Sequence, residues 1–431
     1  MKNDGRPAVV NINQNRFSGA DYIKITMFGL AANAIWQCLH IVIIPLRVQD
    51  FVVESQKNTY LGLLTFCGLF LAMITQPVVG AISDRYGLSW GQRRPYILFG
   101  GIVALVLLFG MGLSQSYITL LLTYCFFQIS MNAAYVPYQA FIPDLVPREK
   151  RGLASGTKGL MEMLGIIIFI YPVSIFMDRY FFSQEGIWLT TSFGLLIFVL
   201  LVLLLLTIVL VRERPAIKSI GAPLIKTLLQ TFKIDVARNR SFIWFLVSRL
   251  LVFAAFTTLQ QFALNYLMDV TGVANPAEAT AQFSILGVVG IIITIWPAGY
   301  ITDRVGRRPV TMTACFIGMI GIIVIFLAEN MATILLASGI IGVAVGSFYS
   351  ANFALATDLV PKNDEARYMG LVNIATAGGA TVARLIGPVI DFLNNRWAGW
   401  GYRTMLLTCM LYLVVGSLLM LKVRTEVHNN T

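Results

Sequence analysis

The sequence predicts an all-α polytopic membrane protein with 12 transmembrane helices in two pseudo-symmetric six-helix bundles. Three observations lead there. Of 431 residues, 57% are hydrophobic and only 12% charged, with a mean hydropathy of +0.75. Long apolar runs recur twelve times, and a loop motif that follows the second run returns after the eighth. Soluble domains carry about a quarter charged residues, so this composition excludes a soluble enzyme.

An apolar run of about 20 residues forms a helix long enough to cross the hydrocarbon of a bilayer. The first six runs cover 22–48, 59–83, 95–113, 116–140, 154–177 and 188–211, separated by charged or Gly/Pro punctuation. Asp84 and Arg85 close the second, Pro95 opens the third, and Pro143-Asp144 follows the fourth. A polar stretch from Arg212 to Arg240 precedes six more runs, at 241–268, 281–302, 309–328, 331–356, 367–390 and 404–422. The expected division is an N-terminal tail (1–23), a first bundle (24–211), a linker (212–240), a second bundle (241–422) and a C-terminal tail (423–431).

Most of the 32 Lys and Arg residues fall in loops on the side of the termini, which by the positive-inside rule places both termini and the linker in the cytoplasm, in a cell membrane. The formal charge of +11 is largely this orientation signal and implies no nucleic-acid partner. No short apolar segment with a small-residue cleavage site precedes the first run, so the N-terminus is expected to be uncleaved. Cys38, Cys67, Cys125, Cys315 and Cys409 all lie in apolar runs and read as small buried hydrophobes, not as a disulfide framework.

The halves repeat one another. Gly80-Ala-Ile-Ser-Asp84-Arg85-Tyr-Gly87 returns as Gly299-Tyr-Ile-Thr-Asp303-Arg304-Val-Gly306, each followed by Arg-Arg-Pro: Arg93-Arg94-Pro95 and Arg307-Arg308-Pro309. Asp144-Leu-Val-Pro147 returns as Asp358-Leu-Val-Pro361, and the interval from Pro95 to Asp144 equals that from Pro309 to Asp358. Asp84 lies eleven residues before Pro95, whereas Asp303 lies six before Pro309, so the first half carries an insertion in this loop.

Gly-x-x-x-Asp-Arg-x-Gly followed by Arg-Arg resembles the loop signature of the major facilitator superfamily, between its second and third helices. Within that superfamily, Trp90-Gly-Gln-Arg-Arg-Pro-Tyr96 and Val136-Pro-Tyr-Gln-Ala140, with Trp36 and Pro45 in helix one, resemble the glycoside-pentoside-hexuronide:cation symporters and sucrose transporters. The resemblance covers nearly the whole chain. It implies alternating access, in which two bundles rock about a central site. It also implies that Asp84 and Asp303 latch the cytoplasmic side by approaching a helix N-terminus in the other half. Gly80 and Gly299 would let their helices pack closely, and Arg85, Arg93, Arg94, Arg304, Arg307 and Arg308 would partner nearby carboxylates.

The chain departs from that family where coupling ions bind. Its symporters carry two carboxylates in helix two where this sequence has Ala72 and Gln76, and helix-four carboxylates where it has Gln128 and Tyr135. Neither the sodium site nor the proton site carries over, since a cation needs oxygen ligands and a proton carrier needs a titrating group.

Ionisable residues inside spans are costly and mark candidate pathways. Glu162, about ten residues into helix five, is the candidate proton carrier; it also reads as one partner of an i, i+4 ion pair with Lys158. His40 in helix one titrates near neutral pH or packs as a satisfied core residue. Arg384, beside the small-residue run Ala377 to Ala380, is a candidate anchor for an anionic or hydroxyl-rich solute. Arg249 is close enough to the helix end to snorkel outward.

Gln128, Asn132, Tyr135 and Gln139 fall on one face of helix four and are expected to line a wet cavity, with interhelical bonding as the competing role. A shift of 214 positions maps Tyr135 onto Tyr349 and Tyr138 onto Asn352, so two tyrosines are expected to face each other across the axis. With Trp36, Gln260 and Gln261 these groups suit the apolar faces and hydroxyl rims of sugars.

The sequence therefore predicts a secondary or facilitative transporter of a small polar solute, first a sugar or glycoside, with the proton as candidate coupling ion. Exporters of amphipathic compounds or organic anions, and a non-transporting assembly factor or sensor, are the competing functions. With no Walker A motif and no spaced His/Cys cluster, no cofactor and no metal is expected. The partners are a small molecule and the lipid bilayer, and the protein is expected to be a monomer.

Overall fold

The computed structural model describes residues 18–213, 239–359 and 365–423. The two tails lie almost entirely outside the described residues, as does most of the 212–240 linker. Twelve helices long and apolar enough to cross a membrane are present: α1 (Gly19–Gln49), α2 (Glu54–Arg85), α3 (Arg94–Gly112), α4 (Tyr117–Leu145), α5 (Arg148–Ser183), α6 (Gly186–Leu210), α7 (Arg240–Thr271), α8 (Pro276–Val305), α9 (Arg307–Phe326), α10 (Met331–Leu359), α11 (Tyr368–Asn394) and α12 (Trp400–Met420).

Several helices outrun their apolar cores because polar residues cap or continue them. The Ser18 hydroxyl and backbone N–H both bond Asp21 at the start of α1, and the Ser116 hydroxyl accepts from the Thr119 N–H at the start of α4. Proline at the first position suits α8, since its missing N–H would have had no helical partner. In α1, a five-residue π-helical stretch, Leu39–Ile43, interrupts the α-helical ladder and carries His40.

The halves pack alike. In the first, α1 lies on α5 and α6, α3 on α4 and α6, and α2 on α4; in the second, α7 lies on α11 and α12, α9 on α10 and α12, and α8 on α10. Gly165 and Gly379 mark the same close approach: a Cβ at either would collide with the carbonyl oxygen of Leu30 on α1 or Leu250 on α7. This contact fixes the register of α1 against α7 at 220 positions. Between halves, α5 meets α8 and α2 meets α11, again a symmetric pair.

The outer surface keeps large apolar side chains, such as Trp296 at 88% exposure and Val209 at 69%. Such a surface suits lipid, in which every backbone polar group must be satisfied within the helix. This is an all-α, twelve-helix membrane fold of two related bundles.

Candidate functional site

A cavity of about 440 Å³ lies between the halves, walled by α1, α5, α7, α8 and α10. Its polar groups are Asn33, Gln37, Glu162, Thr257, Gln260, Ser284, Ser338 and Tyr349. Phe253, Phe256, Phe283, Phe348 and a series of aliphatic side chains supply the rest of the wall. The Gln260 amide donates to the Gln37 carbonyl oxygen at 3.2 Å, joining α7 to α1 across the cavity. The described hydrogen bonds and ion pairs between halves lie here or towards the end opposite the termini. Lys57 pairs with Asp269 at 2.5 Å, Asn265 donates to Asn58 at 2.9 Å and Tyr171 donates to Glu278 at 2.6 Å.

Glu162 brings charge to the cavity wall. Its carboxylate accepts a hydrogen bond from the Tyr135 hydroxyl at 2.6 Å and pairs with Lys158 at 3.0 Å, so the ion pair and the cavity position occur together. Asn33 donates to the Glu162 backbone carbonyl at 2.8 Å and fixes this turn of α5 against α1. Tyr135 packs edge-on to Trp36, with ring centroids 4.8 Å apart, and the Lys158 ammonium lies 5.6 Å from the centre of the Tyr135 ring. Tyr135 and Tyr349 both lie within electrostatic range of Glu162, and Tyr349 itself lines the cavity.

The rest of the polar face on α4 points elsewhere. Gln128 and Asn132 are buried in interhelical bonds rather than in the cavity wall. Gln128 accepts from the Trp36 indole N–H at 3.2 Å and donates to the Tyr124 hydroxyl at 2.7 Å, while Asn132 accepts from Gln76 at 3.0 Å. His40 shares its Nε2 with the Tyr124 hydroxyl at 2.8 Å and stands 3.0 Å from the Gln128 amide nitrogen, the geometry of a satisfied packing residue. Gln139, the last residue of the regular stretch of α4, is exposed. Helical periodicity puts these residues on one face, but that face does not line the cavity: Tyr135 backs it through Glu162, and Gln128 and Asn132 join a network of α1, α2 and α4.

In the second half, Arg249 does not snorkel. It is 5% exposed; its Nε donates to Thr376 at 2.8 Å, its Nη1 to the Asn352 side-chain oxygen, and its guanidinium lies over the Phe253 ring. Arg384 is also buried, bonded to the Ala380 carbonyl of its own helix, and lies within electrostatic range of His40 and Tyr124 rather than at the cavity wall. Its Nε and both polar atoms of the buried Gln261 side chain have no hydrogen-bond partner among the described residues.

At the end that carries the termini, the repeated loops make repeated bonds. Arg93 holds Asp144 at 2.8 Å and Arg307 holds Asp358, each within its own half. Arg94 donates to the Ile208 carbonyl at the end of α6, and Arg308 to the Leu421 carbonyl just past α12. Arg93 also engages Asp84, at 2.5 Å, a bond that has no counterpart from Arg307 to Asp303 among the described residues. Burial alone would pull the Arg93 guanidinium down, but bonds and attraction from Asp144 and Asp84 outweigh it and hold it above its ordinary range. Glu213 caps α3 by accepting from the Arg93 and Arg94 N–H groups at 3.0 Å. Asp303 is exposed, and Arg304 lies over Tyr300. Arg85 is half-buried at the end of α2, and Gly80 and Gly299 face Val136 on α4 and Ser350 on α10.

Sequence reasoning missed Asn33, Gln37, Thr257, Ser284 and Ser338, whose uncharged polar side chains look in a sequence like ordinary interhelical glue. It also missed Asp178 and Asp391, at matching places near the far ends of α5 and α11, for which the repeat was the available signal.

Residues 26–383 match the family model described as MFS/sugar transport protein. The chain is similar to the minor myo-inositol transporter IolF of Bacillus subtilis, 29% identical over 121 residues, or 27% of each chain. It is 23% identical to the multidrug resistance protein MdtG of Citrobacter koseri over 394 residues, 88% of this chain and 91% of the relative. The first curated relatives align over less than a third of their own length. Among solved structures, the nucleoside transporter NupG superposes with a TM-score of 0.75 at 13% identity, covering 93% of this chain and 99% of the other.

Proposed function

We propose, from the premise that this chain belongs to the MFS/sugar transport protein family, that it carries a neutral, hydroxyl-bearing solute of glycoside size across a cell membrane by alternating access. The observation that carries this is the cavity between the halves, where amides and hydroxyls alternate with aromatic walls. Sugars present apolar C–H faces to aromatic rings and hydroxyl rims to amides, and a site of this mixed lining serves both. The bonds at the end opposite the termini support a state in which the cavity is reached from the termini side, the cytoplasm under the positive-inside rule.

Among the described residues Glu162 is the one carboxylate on the cavity wall, which supports it as the proton carrier of a symport mechanism. Protonation would release Lys158 and leave the Tyr135 bond, so solute occupancy and charge at Glu162 are coupled through one wall. Asp84 and Asp303 would form their latch only when the termini end closes.

A second reading rests on the apolar majority of the wall. Four phenylalanines around one carboxylate also suit an amphipathic compound, as does the likeness to a protein named for multidrug resistance. Proteoliposome uptake of a glycoside panel beside a panel of amphipathic cations, with and without imposed proton and sodium gradients, separates the two. Glycoside flux that follows the proton gradient supports symport; flux confined to the amphipathic panel replaces the substrate assignment, and no flux in either panel favours a sensor.

A further inference from the structure

The first-turn N–H groups of an α-helix have no partner inside it, and neither the α-helical stretch of α2, which begins at Lys57 after a 3-10 turn, nor α8 caps them with a side chain of its own. The caps come from the opposite half. Asp178 on α5 accepts from the N–H groups of Ala277 and Glu278 at 2.9 and 2.8 Å. Asp391 on α11 accepts from those of Asn58 and Thr59 at 3.3 and 2.6 Å. The shift of 219 positions that carries Asp84 onto Asp303 also carries Asn58 onto Ala277 and Thr59 onto Glu278. One capping geometry is therefore built twice, each time across the boundary between halves, by carboxylates that are each 5% exposed.

We infer that Asp178 and Asp391 are a two-fold-related pair of latches that hold the end opposite the termini shut, and that both must release for the cavity to open there. A carboxylate on a helix N-terminus gains from the aligned backbone dipoles as well as from the two bonds. Because the donors are backbone groups of the partner bundle, the gain exists only while the bundles touch at this end. Tyr402 and Asn58 extend the Asp391 latch: Asn58 donates to Asp391 at 2.9 Å and to the Tyr402 hydroxyl at 3.2 Å. The Asp178 latch has Tyr171 and Glu278 beside it. The inference deepens the alternating-access reading and rests on it.

The test uses the full chain in lipid nanodiscs, with the native cysteines replaced and spin labels at Gln115→Cys and Glu329→Cys, exposed loop positions at this end of each half. Pulsed electron resonance then reads the distance between halves. Removing one helix cap by Asp→Ala is expected to raise the open-to-closed ratio about fivefold. The double substitution is expected to raise it about 25-fold if the two latches act independently. Asp→Asn, which keeps an acceptor oxygen without the charge, should fall between wild type and Asp→Ala. Should the double alanine variant not fold, the double asparagine variant carries the same comparison. An unchanged distance distribution in a folded double variant overturns the latches, and does so even where proteoliposomes show that the protein transports. A wild-type protein that moves no solute overturns the transport reading instead, while a longer distance in the double variant still supports the latches.

Discussion

The Tyr135 hydroxyl donates to the Glu162 carboxylate at 2.6 Å, and this bond ties the polar face of α4 to the charged wall of the cavity. Glu162 thereby has two partners of different kinds, a neutral donor and the Lys158 ammonium. Glu162→Gln keeps the size and an acceptor oxygen but cannot carry a proton. It is expected to abolish accumulation driven by a proton gradient while leaving solute exchange at equilibrium intact. Parallel measurements of counterflow and of gradient-driven uptake check this; accumulation equal to wild type would remove Glu162 from coupling.

Arg249 is expected to matter first for stability. Truncating it to alanine strands the Asn352 side chain in a buried site and removes the donor to Thr376, at a cost of about 1–3 kcal/mol for the unsatisfied group. Arg249→Lys cannot reproduce the fork that reaches both residues and should recover only part of that loss. Thermal unfolding in detergent ranks the three proteins.

The two loop arginines should differ. Arg93 is buried and serves Asp144, Asp84 and the Ser83 hydroxyl, whereas the half-buried Arg307 serves Asp358 and the Ala354 carbonyl. Since exposed ion pairs contribute about 0–1 kcal/mol, Arg93→Ala should lower the unfolding temperature more than Arg307→Ala. Equal shifts would contradict the ranking.

Gly387 on α11 lies where a Cβ would press on the Asn58 carbonyl oxygen of α2, and Gly62 on α2 faces the Arg384 carbonyl oxygen in the same way. Gly387→Ala is expected to wedge this contact at a cost of about 1–3 kcal/mol, typical of overpacking. The wedge acts between halves, so the end opposite the termini should become more reactive to a thiol reagent at Asn265→Cys. Unaltered labelling would show that the contact relaxes elsewhere.

The fold was legible because two independent signals agreed: the apolar runs set the helices, and Asp84/Asp303 with Asp144/Asp358 set the repeat. Helix ends were less legible, since α5 continues at both ends through polar residues that hydropathy discounts. Within the site, Glu162, Gln260 and Tyr349 line the cavity, but periodicity could not tell which neighbour Gln128 and Asn132 face. The position of Arg249 near a helix end suggested an outward path, whereas its partners Asn352 and Thr376 sit on two other helices, a juxtaposition only the packed bundle creates. Asp178 and Asp391 lie among apolar residues at helix ends, and nothing local marks a backbone partner in the other half.

The most direct measurement places a single cysteine at Ser284 on the cavity wall, in a background without the native cysteines, and follows its reaction with a membrane-impermeant thiol reagent. With the far end held shut, Ser284→Cys should react only from the side of the termini; in the cycling protein it should react from both sides, and a transported solute should slow both reactions. Reaction from one side under every condition, indifferent to solute, would contradict a solute site that opens to each face in turn.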